Sequence, residues 1–513
     1  MIDKEKLADK SICDVNDDSN MLRRKISDTL SEWKGRPHKC LLLKGQRQVG
    51  KTFSIREFAK TNYENYVEYN LSTNRSSRNI FENDLEVDSL ISAMRLFSPD
   101  VDIQPGTTLI FLDEIQDCPR AKEALKSFTL DGRYDVIASG SMLGVDIPKD
   151  IDDEGSWKSE NDIEPLEPTG YDEQITMYAL DFEEFCWANG IKESEISKLR
   201  ESIREKKEIG SAFMDVFSRL FRDFMLVGGM PEAVQTFIDT KDYALVGKVQ
   251  RNLLESCYRD IDRYNRSINR VKVLDCFKNI PAQLSNSNKK FMFSRVDGGK
   301  SRNSALKYKG NMLWIEGAGY GNFVYSLNSI EKSLRGHEVR DQFKVYLSDT
   351  GMLMEMYGRQ AKQDLYSGNV ELNSGAIMEN VVAENLMKSG FHMWYYRKNN
   401  GPGMMEIDMI IELGNDVAAI EVKSGKKRDA PSISKVDKIF RVKRRIKFER
   451  SDIYVSEDGI EHYPLFASAF VKEIEDVRDG LHSDLSENSQ TSMILRTHRE
   501  LLASSRTEYE SCP

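Results

Sequence analysis

The stretch CLLLKGQRQVGKT at residues 40–52 constrains the fold of this chain more than any other feature. Its apolar start predicts a short buried strand, and the glycine-bounded loop that follows opens a helix. This is the G-x-x-x-x-G-K-T pattern, in which backbone N–H groups and the positive end of a helix surround one anion. We therefore predict that this loop binds ATP through eight residues: Gly45, Gln46, Arg47, Gln48, Val49, Gly50, Lys51 and Thr52.

The side chains of this loop suit separate tasks. Gly45 and Gly50 allow backbone angles and a close approach to phosphate that a side chain would block. Lys51 can reach the β- and γ-phosphates of the nucleotide, and the Thr52 hydroxyl can bind Mg²⁺. The expected cofactors are therefore ATP and Mg²⁺.

A second element, TTLIFLDEIQD at residues 107–117, fits the same chemistry. Its apolar residues predict a buried strand that ends in two carboxylates, which are costly to bury without a nearby cation. We predict that Asp113 holds the Mg²⁺, directly or through water. Glu114 is then expected to activate the attacking water as a general base. The strand predicted at 134–142 ends in Ser-Gly-Ser, where the hydroxyl of Ser141 could sense the γ-phosphate.

The alternation of predicted strands and helices between residues 40 and 142 indicates a parallel α/β sheet. The chain is long enough for several domains, because single hydrophobic cores stop growing at about 250–300 residues. Within the first domain, residues 146–173 hold 11 acidic residues against two lysines and predict an acidic loop or insertion. The predicted domains are an N-terminal tail (1–24), the α/β core (25–175), a helical lid (176–264), a winged helix (265–347), a second α/β unit (348–473) and a flexible tail (474–513).

The order of these motifs resembles a known family. G-x-R-Q-V-G-K-T, then LDEIQ, then a strand ending in SGS resembles the prokaryotic AAA-plus-superfamily ATPases that carry a C-terminal domain of unknown function. Four later stretches match the same family: LDFEEFCWANG (180–190), VGGMPEAV (227–234), YRDIDRY (258–264) and FKVYLSDTGML (343–353).

This resemblance covers roughly residues 25–473 and implies a P-loop NTPase parallel sheet with a helical lid. It also implies a winged helix-turn-helix and a C-terminal α/β domain like that of restriction endonucleases. One departure is the link after the sensor strand, which is long and acidic here and shorter and more basic in relatives. We therefore assign no arginine finger, and Arg120 and Arg133 are only candidates.

The C-terminal unit carries a second group of charged residues. Glu379 lies on a predicted helix, Asp408 is predicted to open a strand, and Glu421 and Lys423 lie two apart on the next strand. Residues two apart on a strand point to the same face of the sheet. This pattern resembles the PD-(D/E)xK nuclease fold, in which the acids hold Mg²⁺ and the lysine stabilises developing charge. Asp408 and Glu421 are thus candidate ligands of a second Mg²⁺; the alternative is a nuclease-like domain that only binds.

Charge is distributed unevenly along the chain, whose formal net charge is −10. Residues 265–345 hold 15 lysines and arginines against 6 acids, which favours contact with double-stranded DNA. The segments 291–296, 304–317 and 321–327 look like strands, and Lys307, Tyr308 and Lys309 would lie on the wing of a winged helix. Such domains also dock protein partners, so a protein partner is the alternative.

Other sequence features limit the cellular setting. There is no apolar run of the roughly 18 residues that a membrane helix requires. The charged N-terminus has no apolar segment typical of a secretory signal, and the seven cysteines include no C-x-x-C pair. A cytoplasmic protein with no membrane contact is expected, and its oligomeric state stays open.

Three functions fit these observations. The first is an ATP-driven conformational switch that hydrolyses Mg-ATP on or near DNA. The second is an ATP-regulated, metal-dependent DNA nuclease in defence or repair. The third is an ATP-binding scaffold that docks a partner protein, which the pair of acids at the end of the 107–117 strand argues against.

Overall fold

The computed structural model describes residues 21–141, 170–264, 267–296, 298, 304–367, 374–398, 404–423 and 431–474. Most of the two predicted tails and of the predicted acidic insertion lies outside the described residues, which include residues 21–24 of the first tail and residue 474 of the second. Within the described part of the chain, no helix combines the length and the apolar character needed to cross a membrane.

The first unit is a five-stranded sheet in which every neighbouring pair of strands is parallel, so the predicted parallel α/β sheet is confirmed. The strand order is β2-β3-β4-β1-β5. The strands are β1 (Cys40–Lys44), β2 (Asn65–Asn70), β3 (Thr108–Asp113), β4 (Asp135–Gly140) and β5 (Asp172–Thr176), and the helices are α1 (Ile26–Lys34), α2 (Lys51–Asn62), α3 (Val87–Phe97) and α4 (Pro119–Asp131). We call this the core unit.

The central strands of this sheet are short apolar runs because helices cover both faces of a parallel sheet. All six residues of β3 are buried, as are the first four of β1. The edge strand β5 begins at Asp172 and pairs with β1. The last two residues of the predicted acidic insertion, Asp172 and Glu173, therefore belong to the sheet and not to a loop.

A run of helices follows, which we call the helical unit. The helices are α5 (Phe182–Ala188), α6 (Glu193–Glu205), α7 (Ser211–Val227), α8 (Pro231–Thr240) and α9 (Tyr243–Tyr264). The start of α5 is fixed by a capping box, in which the side chains of Asp181 and Glu184 each accept from the other's backbone N–H. The helix α7 ends before Gly228, which has a φ of 77°, and Pro231 opens the next helix, α8.

The remaining residues form the C-terminal unit, built on an eight-stranded mixed sheet of order β12-β13-β11-β10-β9-β8-β6-β7. Its helices are α10 (Ser267–Leu284), α11 (Phe293–Val296), α12 (Ser304–Gly317), α13 (Thr350–Tyr357), α14 (Arg359–Ser367), α15 (Ser374–Lys388) and α16 (Pro431–Phe440). Its strands are β6 (Gly321–Leu327), β7 (Glu338–Leu347), β8 (Trp394–Lys398), β9 (Met405–Leu413), β10 (Asp416–Val422), β11 (Arg444–Glu449), β12 (Tyr454–Val455) and β13 (Glu461–Pro464). A 3-10 helix at Leu465–Ile474 ends the described chain.

Two of the strands predicted for a winged helix are wrong. Residues 293–296 and 304–317 are the helices α11 and α12. Tyr308, Met312 and Ile315 are buried at spacings of four and three residues, which is the stripe of an amphipathic helix and not the alternation of a strand. Lys307, Tyr308 and Lys309 therefore lie on a helix and not on a wing.

The strand predicted at 321–327 is present as β6, but its partners differ from those of an isolated wing. It pairs with β7 on one side and with β8 on the other. The boundary predicted at residue 347 thus divides one continuous sheet. β6 pairs with β8, which begins 67 residues after the end of β6. This long-range pairing joins two segments that the sequence pattern assigns to separate domains.

One hydrophobic cluster runs through all three units. It includes Leu30 of α1, Phe224 of α7 and Phe466 of the last 3-10 helix. The Phe182 ring, at the start of α5, packs 6.4 Å from the Phe466 ring. The C-terminal end of the described chain is therefore packed against the helical unit that follows the core unit.

Candidate functional site

The loop between β1 and α2 has a backbone that requires glycine at both ends. A Cβ atom on Gly45 would lie 2.1 Å from the backbone oxygen of Met177. Gly50 has a φ of 100°, in the left-handed region, directly before the first residue of α2. The strand, the loop and the helix N-terminus therefore lie as the G-x-x-x-x-G-K-T pattern requires.

Lys51 is the first residue of α2 and is 7% exposed. Its ammonium group donates to the backbone oxygens of Gly45 and Gln46 at 2.8 and 2.9 Å. Burial lowers the pKa of Lys51 to about 8, although the carboxylates of Glu114 and Asp113 act in the opposite direction. A buried ammonium group thus lies inside the loop, at the start of α2.

Asp113 ends the central strand β3 and collects hydrogen bonds from three elements. Thr52 donates to both carboxylate oxygens at 3.3 Å, and the Asn70 amide donates at 2.9 Å. The buried hydroxyl of Ser139 donates to the same carboxylate. The structure thus brings Thr52 and Asp113 together, adds Asn70, which sequence reasoning missed, and places Ser139, the first serine of the Ser-Gly-Ser run, on Asp113. Asn70 is the last residue of β2 and Ser139 is the last but one of β4, and both strands neighbour β3 in the sheet.

Glu114 follows Asp113 and has a left-handed backbone, with φ 54° and ψ 48°. Such a conformation costs free energy in a non-glycine residue and is typical of functional sites. Its carboxylate accepts from the Gln116 amide at 2.5 Å and from the Ser141 hydroxyl at 3.4 Å. Glu114 is therefore held at the end of β3, in contact with the buried Ser141 that follows β4.

The loop is also braced by a residue that no sequence signal indicated. Arg24, just before α1, donates to the backbone oxygen of Val49 at 2.9 Å and to that of Tyr178 at 2.7 Å. Its third contact is an ion pair with Glu184 of α5 at 3.1 Å. Arg24 therefore connects the loop between β1 and α2 to the edge of the sheet and to the helical unit. The two arginine-finger candidates are engaged elsewhere, Arg120 with the backbone oxygens of Phe81 and Asn83 and Arg133 with Asp88 and Asp131.

A second acidic cluster lies in the C-terminal unit. Asp408 lies inside β9 rather than at its start, and the register that pairs Ile420 with Met409 sets Glu421 directly opposite Asp408. Residues that pair in this way project from the same face of the sheet. Lys423 forms an ion pair with Glu421.

The third acid of this cluster comes from a helix. Glu379 on α15 forms an ion pair with Lys289 and accepts from the Tyr346 hydroxyl at 3.0 Å. Burial raises the pKa of Asp408 to about 8, and the charges of Glu379 and Glu421 act in the same direction. Burial also raises the pKa of Glu421, against the effect of Lys423. The structure thus brings Glu379, Asp408, Glu421 and Lys423 into one electrostatically coupled cluster.

The ammonium group of Lys344 is fully buried at the edge of this cluster. It lies 3.9 Å from carboxylate oxygens of both Glu379 and Glu406 and has no hydrogen-bond partner among the residues that the structure describes. Over the described ranges, no group of three or more His, Cys, Asp or Glu side chains is arranged to hold a metal ion. A metal ion at either site would therefore rely on one or two carboxylates.

The fold and the first site define the class of this protein. A parallel sheet, a glycine-bounded loop opening a helix with Lys51 and Thr52, and an acidic pair at the end of β3 belong to an AAA-type P-loop ATPase. Residues 37–186 match the AAA domain family, which covers the whole of this site. Residues 218–363 and 374–470 match two domains of unknown function (DUF8612 and DUF4143).

Three solved structures that resemble the chain share 12–13% sequence identity with it. No curated protein matches it. A Walker-type ATPase of Pyrococcus abyssi matches with 13% identity and a TM-score of 0.38, over 66% of this chain and 96% of its own. A STAND protein with a tetratricopeptide repeat sensor from Pyrococcus horikoshii (13% identity, TM-score 0.24) matches over 72% of this chain and 46% of its own.

A third structure, AMPPCP-bound DnaA from Aquifex aeolicus, has 12% identity and a TM-score of 0.23, over 57% of this chain and 85% of its own. All three TM-scores are below 0.5. The AAA family match and the loop geometry, and not these structures, therefore carry the assignment to the class.

Proposed function

We propose that the chain binds and hydrolyses Mg-ATP and uses hydrolysis as a conformational switch. The observation that carries this proposal is the convergence on Asp113, where Thr52, Asn70 and Ser139 all donate to one buried carboxylate. A carboxylate and a hydroxyl at the mouth of a phosphate-binding loop are the oxygen ligands that Mg²⁺ uses when it also binds nucleotide phosphates.

The mechanism assigns each step to a side chain of this site. Lys51 and the N–H groups of the loop would neutralise the β- and γ-phosphates, while Thr52 and Asp113 would hold the Mg²⁺. Bound Mg²⁺ would supply charge stabilisation to the transferring phosphoryl group. Glu114 would take a proton from the attacking water, and Ser141, in contact with Glu114, would report the state of the γ-phosphate.

The test of this proposal uses the full-length protein. ATP binding is measured by calorimetry with Mg²⁺ and with a chelator, and phosphate release is followed with and without duplex DNA. We expect Mg²⁺-dependent binding and slow turnover. Absence of ATP binding would overturn the proposal, whereas tight binding without turnover would favour the scaffold that docks a partner protein. Stimulation of turnover by duplex DNA would support DNA as the partner.

The pKa of Lys51 gives a prediction for the pH dependence of ATP binding. In the nucleotide-free protein this pKa is about 8. Bound phosphates would raise it, so binding above pH 8 requires proton uptake. The affinity for ATP should be constant below about pH 8 and then fall by up to about tenfold per pH unit above it.

Calorimetric titrations between pH 7 and pH 9.5 would measure this dependence (both limits are about 1 to 1.5 units from that pKa). Lys51→Arg is the matched control, because a guanidinium group stays protonated throughout that range. A parental affinity that does not change up to the highest pH would contradict the prediction.

The second candidate function is a metal-dependent DNA nuclease in the C-terminal unit. It is favoured by the acidic cluster, since Asp408 and Glu421 lie opposite each other on one face with Lys423 beside them. Two carboxylates so placed repel unless a proton or a cation intervenes. A Mg²⁺ held by Asp408 and Glu421 would keep coordination positions for water and a phosphate oxygen. Glu421→Ala should then abolish metal-dependent strand cleavage without changing ATP hydrolysis.

This metal site can be tested without any activity. Mg²⁺ or Mn²⁺ should raise the melting temperature of the parental protein by a few degrees, on the scale of roughly 2–4 °C per kcal/mol. In Asp408→Asn the increase should be lost, because one ligand and the repulsion that the cation relieves are both removed. Glu412→Gln, an exposed acid on the same strand, is the matched control. An equal increase in Asp408→Asn would exclude this metal site.

A further inference from the structure

Two side chains of the phosphate-binding loop point away from that loop's own contacts and bind other units. The Gln46 side-chain oxygen accepts from the Ser348 hydroxyl, just after β7, at 3.2 Å. The Arg47 guanidinium forms an ion pair with Asp260 of α9 at 2.7 Å. The loop is therefore joined to the C-terminal unit by Gln46 and to the helical unit by Arg47.

Asp260 does more than pair with Arg47. It is 3% exposed, and its second carboxylate oxygen accepts from the Tyr320 hydroxyl at 2.9 Å. Tyr320 is also buried and directly precedes β6 of the C-terminal unit. Burial raises the pKa of Tyr320 well above its ordinary value, with the charges of Cys257 and Asp260 acting in the same direction, so its hydroxyl stays a donor. One buried carboxylate thus links the loop to the C-terminal unit.

A further junction lies beside this link. Ser348, the partner of Gln46, is followed by Asp349, whose carboxylate accepts from the backbone N–H of Gly229 at 2.6 Å. A Cβ on Gly228 would lie 2.2 Å from an Asp349 oxygen, so glycine is required there. Three of the family motifs have no role in the proposed chemistry. These motifs, at residues 227–234, 258–264 and 343–353, therefore lie together around the loop.

Packing between the loop and the C-terminal unit is incomplete at this place. A cavity of about 370 Å³ borders Gly45, Gln46 and Ser348. The cavity leaves space beside the contact between Gln46 and Ser348. A loop held by a few directional contacts can change its position when it closes on phosphates, while a close-packed one is less free to do so.

We propose that Asp260 is a positioning residue that couples nucleotide binding in the loop to the C-terminal unit through Arg47 and Tyr320. This inference rests on the proposed ATP binding and adds the route by which it is transmitted. Coupling is reciprocal: if the loop contact with Asp260 changes on binding, loss of the contact must change the affinity for nucleotide. We expect nucleotide binding to strengthen this contact, so loss of the contact should weaken nucleotide binding.

The first variant removes a single hydroxyl that does not belong to the loop. Tyr320→Phe should weaken Mg-ATP binding by at least about fivefold, the lower end of typical coupling between sites. Tyr463→Phe is the matched control, since Tyr463 is buried in the same unit and its hydroxyl donates to the Glu461 carboxylate at 3.0 Å. The control should bind Mg-ATP as the parental protein does.

A double-mutant cycle separates coupling from a general loss of structure. Arg47→Gln removes one contact of Asp260, and Tyr320→Phe removes a different contact of the same residue. Both substitutions therefore act through Asp260. Their effects on ATP affinity should therefore be less than additive when combined. Additive losses would overturn the route through Asp260.

A second measurement follows the C-terminal unit directly. In the parental protein, Mg-ATP should slow amide hydrogen exchange in β6 and β7, and in Asp260→Asn this protection should be lost. A parental protein without ATP affinity would overturn the proposed function and this inference together. A parental protein that binds ATP, with Tyr320→Phe binding equally well and β6 and β7 unprotected, would overturn the coupling alone.

Discussion

Lys51→Ala should reduce the affinity for Mg-ATP by roughly 100-fold or more, which corresponds to about 3 kcal/mol. The ammonium group lies buried at the start of α2, between the loop carbonyls of Gly45 and Gln46. Its charge is the one in the loop that can reach the β- and γ-phosphates, and a charge-assisted hydrogen bond in a buried place is worth more than a neutral one. Calorimetric titration with Mg-ATP measures the loss.

The matched control for this variant is Lys44→Ala. Lys44 ends β1 directly before the loop, and its ammonium group donates to the Gln174 side chain at 3.1 Å. The control removes a lysine at the same end of the same strand and should leave the affinity within about twofold of the parental value, as expected of an exposed pair. Equal affinities of Lys51→Ala and the parental protein would show that the loop does not bind the phosphates.

Glu114→Gln should keep Mg-ATP binding and lose turnover by roughly 10²- to 10⁴-fold, the usual contribution of a general base. The substitution keeps the size of the side chain and removes its ability to take a proton. The left-handed backbone at Glu114 and the contacts with Gln116 and Ser141 hold the side chain in place. Phosphate release and calorimetric binding, measured on the same protein, separate the two effects.

Glu82→Gln, an exposed acid that follows the 3-10 helix at Arg75–Phe81, is the control for this variant and should hydrolyse ATP as the parental protein does. Turnover of Glu114→Gln at the parental rate would contradict the assignment of the general base. A loss of binding together with turnover would instead indicate that Glu114 supports the loop. In that case another residue would have to act as the general base.

Much of the first site follows from local sequence. Glycines at both ends of a loop, a lysine and a threonine at a helix start, and two acids after an apolar run are all contiguous patterns. Each is read from a few neighbouring residues because strand and helix periodicity act over short stretches of chain. The parallel sheet follows in the same way from the alternation of strands and helices. The positions of Asn70 and Ser139 depend on strand order, which local patterns do not specify.

The C-terminal unit shows the limit of such patterns. Residues 304–317 look like a strand in the sequence, yet they form the helix α12, in which Tyr308, Met312 and Ile315 are buried. The helical spacing of the buried positions is the stronger signal, and the structure follows it. The single sheet formed across residue 347 could not be predicted, because it depends on pairing between β6 and β8.

The sequence by itself determined the glycine-bounded loop before α2, the acidic pair after β3 and the parallel core sheet. These features are encoded by residue type at short spacing. Only the tertiary structure decided that Arg24 braces the loop, that the C-terminal strands form one sheet, and that Asp260 lies between Arg47 and Tyr320. In the sequence, Asp260 lies 213 positions from Arg47 and 60 positions from Tyr320. Contacts over such separations arise from the packing of whole units, since no local pattern fixes which buried carboxylate an arginine will meet.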